Sequence, residues 1–301
     1  MKSVRTIAMS AAIIVLAAAG LFWTRTGWAQ SSSAVDRLYI FDCGQGHAKD
    51  QSRWTVGFNV GKPIDISVSC FLIHHAQGYF LWDTGITDEV ASMPNGWLPF
   101  DDPNGILWTR KKTLAAQLKE IGVSPSDIRS IGISHTHPDH IGNVEMFPNT
   151  KLLIQKAEFE DYFAGGLNNA GIGKVQAPTP NSVTFKKDHP VELIQEDLDV
   201  FGDDSVVIFH TPGHTPGHDS LLVHLNKTGW VVLSADAVHL QSNWDNRRIP
   251  YFSWMSTDQK LQVLTSMQRI ADMINFYHAQ LWILHDKIQT EKLKHAPQFY
   301  E

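Results

Sequence analysis

Cysteine is almost missing from this 301-residue chain, which has only Cys43 and Cys70. Two are too few for a disulfide scaffold, and neither sits in the C-x-x-C spacing of a redox or zinc-ribbon site. Charge is sparse too: 19% of residues, with a formal net charge of −6. No basic field exists to neutralise a phosphate backbone, so nucleic acid is not an expected partner. Internal repeats, low-complexity tracts and charge runs are absent, which excludes fibrous and disordered classes. What is present is a hydrophobic content of 43%, enough to fill a real core. The length suits two average domains or one of the larger α/β architectures.

The first thirty residues differ from the rest. Lys2 and Arg5 precede an apolar run from Ile7 to Trp23, and "TGWAQSSS" follows. This is the order of a secretory signal peptide, with Gly27 and Ala29 at the positions that a cut after Ala29 requires. The run is short for a span of about 20 residues, so cleavage is favoured over an uncleaved membrane anchor. Residues 1–29 are therefore expected to be a signal peptide, and the mature protein exported, periplasmic or secreted. Loss of Lys2, Arg5 and Arg25 leaves it at a formal net charge of −9. In an oxidising compartment Cys43 and Cys70 would form one disulfide, and in a reducing one they would be buried thiols. Both flank strand-like runs, and the sequence leaves the two readings open.

From Arg37 onward short β-rich runs alternate with helical patterns. "RLYIFD", "DISVSCFLIHH" and "YFLWDTG" read as early strands. "TRKKTLAAQLKEI", residues 109–121, reads as a helix ending at Gly122. "RSIGIS", "KLLIQ", "SVVIFH", "DSLLVHL", "WVVLSA" and "QLWIL" follow as strands. Helices are expected at "KAEFEDYF" and from Thr257 to Tyr277, with a loop from Gly165 to Asn181. No linker divides two cores, so residues 30–301 are expected to be one α/β domain.

The strand "RSIGIS" runs straight into "SHTHPDHIGN", which places His135, His137, Asp139 and His140 within six positions. With 15 histidines in the chain, the pattern H-x-H-x-D-H arises by accident at about 0.003 per chain. His135 and His137, two apart at a strand end, point to one side, and Asp139 and His140 open a helix that turns back toward them. Crowding these groups without a metal would be costly in repulsion and desolvation. Four neighbouring ligands exceed what one tetrahedral ion with an open position can use, so two ions are inferred and further ligands expected downstream. "HTPGHTPGHDS" offers His210, His214 and His218, "VLSADAVHL" offers Asp236 and His239, and "LWILHDK" offers His285. Several follow strands, where catalytic groups gather in α/β folds.

In order and approximate spacing, "SHTHPDH", "TPGHTPGH", Asp236 in "LSADAVH" and His285 in "ILHD" resemble the metallo-β-lactamase superfamily. Over roughly Arg37 to Pro297 the chain resembles its N-acyl homoserine lactonase branch. The resemblance implies an αβ/βα sandwich of two facing mixed sheets with outer helices. It assigns His135, His137 and His214 to one metal, Asp139, His140 and His285 to the other, and Asp236 as the bridge between them. His214 is preferred over His210 and His218 because it follows the "TPG" turn in the family manner; the other two fall to surface or supporting positions. Asp83 in "LWDTG" matches a carboxylate that steadies the ligands from behind, as well as a plain turn residue. Two divalent ions, zinc foremost, are the implied cofactors, although imidazole and carboxylate sets also suit iron, cobalt and manganese.

The activity implied is opening of an acyl homoserine lactone ring by a metal-bridging hydroxide, with Asp139 passing a proton to the leaving oxygen. Asp236 argues against a class B β-lactamase, and a glyoxalase II, which continues into a C-terminal helical domain, is less expected with sixteen residues after His285. Hydrolysis of a β-lactam, a thioester, an aryl ester or a phosphodiester on the same fold, and a non-catalytic exported metal-binding protein, stay as alternatives. The sequence departs from the lactonase pattern three residues after the bridge. His239 stands where a substrate-binding tyrosine is found, and it retains a hydrogen-bond donor. Met93, Trp97, Leu98, Phe100, Ile106, Leu107 and Trp108 form an apolar, turn-rich stretch that either lines an acyl pocket or packs on the core. Trp244 and "IPYFSWM" are expected to face it.

Overall fold

The first strand, β1 (Val35–Ala48), outruns the expected "RLYIFD" because it passes through an irregularity instead of stopping at Asp42. Gly44 makes this possible: its φ is +138°, and a Cβ there would meet the Ile86 side chain. The structure, a computed structural model, describes residues 35–98, 105–164, 185–250 and 255–301. The expected signal peptide and the loop from Gly165 to Asn181 lie outside the described residues.

In chain order β1 is followed by β2 (Ile64–His75), β3 (Gly78–Trp82), β4 (Leu107–Thr109) and helix α1 (Leu114–Glu120). Next come β5 (Ile128–Gly132), α2 (Pro138–Ile141), β6 (Lys151–Gln155), α3 (Lys156–Ala164), β7 (Val191–Ile194) and β8 (Leu198–Asp199). The chain closes with β9 (Val206–His210), β10 (Asp219–Leu225), β11 (Gly229–Leu233), α4 (Gln241–Asn246), α5 (Thr257–Tyr277), β12 (Gln280–Trp282) and α6 (Lys287–Thr290).

Seven strands form one sheet in the order β4-β1-β2-β3-β5-β6-β7, and five form the other in the order β12-β11-β10-β9-β8. Both are mixed. β1, β2 and β3 are antiparallel neighbours, whereas β3, β5, β6 and β7 run parallel. β8 to β11 are antiparallel and β12 joins parallel to β11. Alternation along the strands decides which face each residue serves. Leu38, Ile40, Phe71, Ile73, Phe80 and Trp82 of the larger sheet share one buried cluster with Ile208, Leu221, Val223, Val231 and Leu233 of the smaller. Their neighbours Tyr39, Phe41, Leu72, Leu81, Phe209, Leu222 and Val232 belong to a second cluster with helix residues such as Leu114, Val263, Met267 and Ile270. Burial on both faces is why "CFLI" and "WVVL" read as unbroken apolar runs. Two facing sheets with helices outside are the αβ/βα sandwich, and Ser33–Glu301 make up one compact unit.

Helix boundaries follow their caps. α5 starts after Ser256, whose side chain accepts from Gln259 N while Gln259 answers in a capping box, and it ends at His278 with φ +54°. The helix expected over residues 109–121 begins only at Leu114, because Thr113 caps it and Leu107–Thr109 pairs with β1 as an edge strand. Within the apolar stretch before it, Trp108 is buried and Met93, Trp97 and Ile106 pack against the core. Phe100 and residues 251–254 lie outside the described residues. β1 and β2 also bring Cys43 and Cys70 together as a disulfide, with Cα atoms 5.8 Å apart. Among the described residues no helix is long and apolar enough to cross a membrane.

Candidate metal centre

Four loops, those that follow β5, β9, β11 and β12, converge at one end of the sandwich. The β5 loop carries His135 and His137. Pro138 then starts α2, a fixed φ that suits a first helical position, and the single turn swings Asp139 and His140 back toward them. His214 comes from the loop between β9 and β10. Asp236 sits in a helical turn, Ala235–Ala237, where "WVVLSA" stops being a strand; Ala235 takes a φ of +43° to make that corner. His285 lies three residues after β12.

The seven expected ligands fall into two groups. His135, His137, His214 and Asp236 present donor atoms within 4.8 Å of one another, as do Asp139, His140 and His285. Asp236 faces both. Its Oδ2 lies 3.2 Å from His214 Nε2 and 3.7 Å from His135 Nε2. Its Oδ1 lies 3.3 Å from His140 Nε2 and 3.1 Å from His285 Nε2. Asp139 Oδ2 stands 3.5 Å from His285 Nε2 and 3.9 Å from His140 Nε2. All seven residues are buried.

This donor set fits metal ions, and the far sides of the rings say why. His140 Nδ1 is 2.9 Å from Asp83 Oδ2 and His285 Nδ1 is 2.7 Å from the Ser67 carbonyl oxygen. Both acceptors call for N–H on Nδ1, which leaves the Nε2 lone pairs aimed at the shared space. Ser134 donates to Asp83 Oδ2 at 2.8 Å and lies 3.1 Å from His135 Nδ1, so His135 is set in the same way. His137 Nδ1 lies 2.9 Å from His135 Nε2 and 3.0 Å from His214 Nε2. With their lone pairs turned inward, three nitrogens packed this closely suit a cation. Within the shared space, His140 Nε2 and Asp236 Oδ1 are buried and make no hydrogen bond.

Electrostatics divide the two groups: against the cost of burial, Asp236 raises both His140 and His285 above the ordinary imidazole value. Burial keeps the first group neutral, pushing His137 down to about 3 and His214 to about 4, with His135 well below its ordinary value. Burial opposes charge on Asp236 too, yet His285, His239, His140 and His135 outweigh it and hold that carboxyl well below the usual range. Asp236 is thus an anion ringed by imidazoles.

Asp83 serves as a turn residue and as a ligand support at once. Its φ is +58°, and its carboxylate accepts from Ser134 N, Ser134 Oγ and His140 Nδ1. Asp83→Asn removes the charge and one acceptor, and is expected to weaken metal retention about 10- to 100-fold; chelator competition on the purified variant measures this.

His239 enters the same space. Its Nε2 is 3.1 Å from Asp236 Oδ2, its ring stacks on His285 at 5.7 Å and meets His214 edge-on at 4.9 Å. His218 is buried behind the centre: its Nε2 accepts the Asp236 backbone N–H at 2.9 Å, so its Nδ1–H donates to the Thr211 carbonyl at 3.0 Å. His210 lies at the margin, 3.1 Å from Asp219. Sequence reasoning missed Ser134 and Ser67. Ser134 adjoins the cluster and was open to notice; Ser67 lies 218 positions from the histidine it supports and carries no local signal.

Two donor groups facing one carboxylate, at the loop end of a two-sheet sandwich, are an α/β site that could hold two metal ions. The chain belongs to the metallo-beta-lactamase superfamily, whose family model matches residues 63–267. It is 30% identical to the N-acyl homoserine lactonase AttM of Azorhizobium caulinodans and 31% identical to AttM of Rhizobium radiobacter, covering 88% of this chain and 98% of each relative. A solved variant of AiiA from Bacillus thuringiensis, with N-decanoyl-L-homoserine bound at its active site, matches with a TM-score of 0.72 at 24% identity. It covers 88% of this chain and 99% of its own, a likeness of fold.

Proposed function

We propose that this protein is an exported, dinuclear metal-dependent lactonase that opens the ester ring of N-acyl homoserine lactones. The observation that carries the reading is the placement of Asp236, with one oxygen toward each donor group. The near-full-length similarity to enzymes named N-acyl homoserine lactonase supports the substrate class.

His135, His137 and His214 would hold one ion, Asp139, His140 and His285 the other, with Asp236 shared between them. Two divalent ions bound there supply Lewis acidity for the ester carbonyl and make an attacking water acidic near neutral pH. Zinc suits three imidazoles and a carboxylate. The protein's own groups do the rest. Asp83, Ser134 and Ser67 fix the imidazole orientations before substrate arrives. Asp139, at the edge of the second group, is placed to carry a proton to the ring oxygen as it leaves. His239, its Nε2 directed into the same space, is placed to donate a hydrogen bond to the substrate. Export is supported by the segment from Lys2 to Ala29 and by the Cys43–Cys70 disulfide, a bond that persists in oxidising compartments.

A hydrolysis panel tests the reading. Purified protein is assayed on acyl homoserine lactones of several chain lengths, an aryl ester, nitrocefin and a phosphodiester, with chelator-stripped protein as background. Lactone opening should dominate, with about two ions per chain by elemental analysis. Lactone turnover no higher than that of stripped protein, beside turnover of another substrate, would replace the substrate class. Two bound ions with no turnover on any substrate would mark a non-catalytic metal-binding protein.

A further inference from the structure

α3 reaches the metal centre through one residue. Glu158, in its first turn, is wholly buried and accepts three hydrogen bonds from two separate ligand loops. Its Oε1 accepts from the backbone N–H and the hydroxyl of Thr136, at 2.8 and 2.7 Å. Its Oε2 accepts from the backbone N–H of Gly217 at 3.1 Å. Thr136 is the residue between His135 and His137, and Gly217 lies in the turn that begins at His214. One carboxylate therefore spans the two segments that supply every imidazole of the first donor group, segments 77 positions apart in the chain.

The contact is steric as well as polar. A Cβ on Gly217 would collide with the backbone N and Cβ of Glu158, so the loop lies directly on α3. On its other side the same loop is pressed against α5. Gly213, at φ +128°, has no room for a Cβ beside Val263 N, and Ser266 Oγ donates to the Pro212 carbonyl at 2.7 Å. α5 fixes where the His214 loop sits, and Glu158 fixes how far it stands from the His135–His137 loop. A buried carboxylate is costly unless its bonds are made, so the three donors and the acceptor hold one another in place.

We propose that Glu158 is a positioning residue that sets the separation between the His135–His137 pair and His214, and through it the affinity of the first donor group for its ion. This rests on the metal-site reading above. It predicts a selective defect. Glu158→Gln keeps the volume but turns an NH2 toward either Thr136 N–H or Gly217 N–H, so one loop loses its acceptor. The second group, Asp139, His140 and His285, is not touched by this change.

The test is graded chelator release from the two-ion enzyme, followed by elemental analysis and, in the cobalt-loaded protein, by the visible absorption of each ion. For Glu158→Gln one ion should leave at an about 10-fold lower chelator concentration while the other leaves as in the parent. Its kcat should fall with KM little changed. Thr136→Val, which removes one of the three donors and leaves α3 intact, should shift the same ion in the same direction by less, and it carries the test if Glu158→Gln does not fold. A purely structural role would lower the melting temperature of the metal-free protein and leave the release of both ions as in the parent; that result overturns the proposal. A parent protein that fails to bind two ions would instead overturn the metal-site reading.

Discussion

Asp236→Asn should lose lactone hydrolysis to background and one of its two ions. Among the described residues, this carboxylate alone has its two oxygens facing the two donor sets separately, Oδ2 toward His135 and His214 and Oδ1 toward His140 and His285. An amide keeps one oxygen and turns an NH2 toward the other set, opposing whatever cation those imidazoles would hold. Whichever way the amide turns, one group faces an NH2 where the parent presents an oxygen, and the three imidazoles of the first group lose their carboxylate. Metal-linked stability should show the same loss. An ion that binds only the folded chain stabilises it by about 2.7 kcal/mol at one hundred times its dissociation constant, so the parent's melting point should climb with added metal and the variant's should climb less. Paired measurements of metal content, turnover and the metal dependence of melting check this. Retention of two ions with turnover near the parent's would show that Asp236 is not the shared ligand.

Much of this centre was legible in the sequence because it is assembled from strand ends. His135 and His137 obey the two-residue alternation of the strand before them, and Asp236 and His285 each follow a short apolar run that could hardly be anything but a buried strand. The strands were legible from their short β-rich runs bounded by turn residues, as in "DISVSCFLIHH" and "YFLWDTG". Boundaries were less so. The first strand continues past Asp42 only because Gly44 accommodates an irregularity, and α1 waits for Thr113 because an edge strand occupies the residues before it. Two histidines spaced evenly around His214 had no local mark of their roles. His218 turns inward to the Asp236 backbone while His210 stays at the margin, and that difference is decided by β10 and β11 packing side by side. Ser67 and Glu158 were out of reach for a stronger reason. Each matters through a loop distant in sequence that folding brings to it, and a carboxylate in "KAEFEDYF" looks like any solvated helix residue until the helix is docked.

Removing the Cys43–Cys70 disulfide is expected to cost about 3 to 4 kcal/mol of stability, the chain-entropy value for a loop of this length, here a separation of 27 residues. For a domain this large that is roughly a 10 °C fall in melting temperature. The bond also underlies the metal centre. Gly85, at φ +73°, has no room for a Cβ because Cys43 lies against it with Cys70 Sγ close by, and Ile86 N donates to the Cys43 carbonyl at 3.2 Å. That turn carries Asp83 and Thr84, and it is stitched to the ligand loop by Thr84 N to the His140 carbonyl at 2.7 Å and by Gly142 N to the Gly85 carbonyl at 2.9 Å. A looser turn should hold His140 less firmly, so the double variant Cys43→Ala/Cys70→Ala should release metal at lower chelator concentration as well as melt earlier. Melting of the metal-free proteins isolates the chain effect, and the chelator series isolates the effect on the site. Protein recovered from the periplasm or medium should begin at Gln30 and carry the bond, whereas protein held in a reducing cytosol should behave as the variant does. Equal melting of parent and variant would show that the disulfide does not brace the sheet, and equal metal release that it does not brace the turn above it.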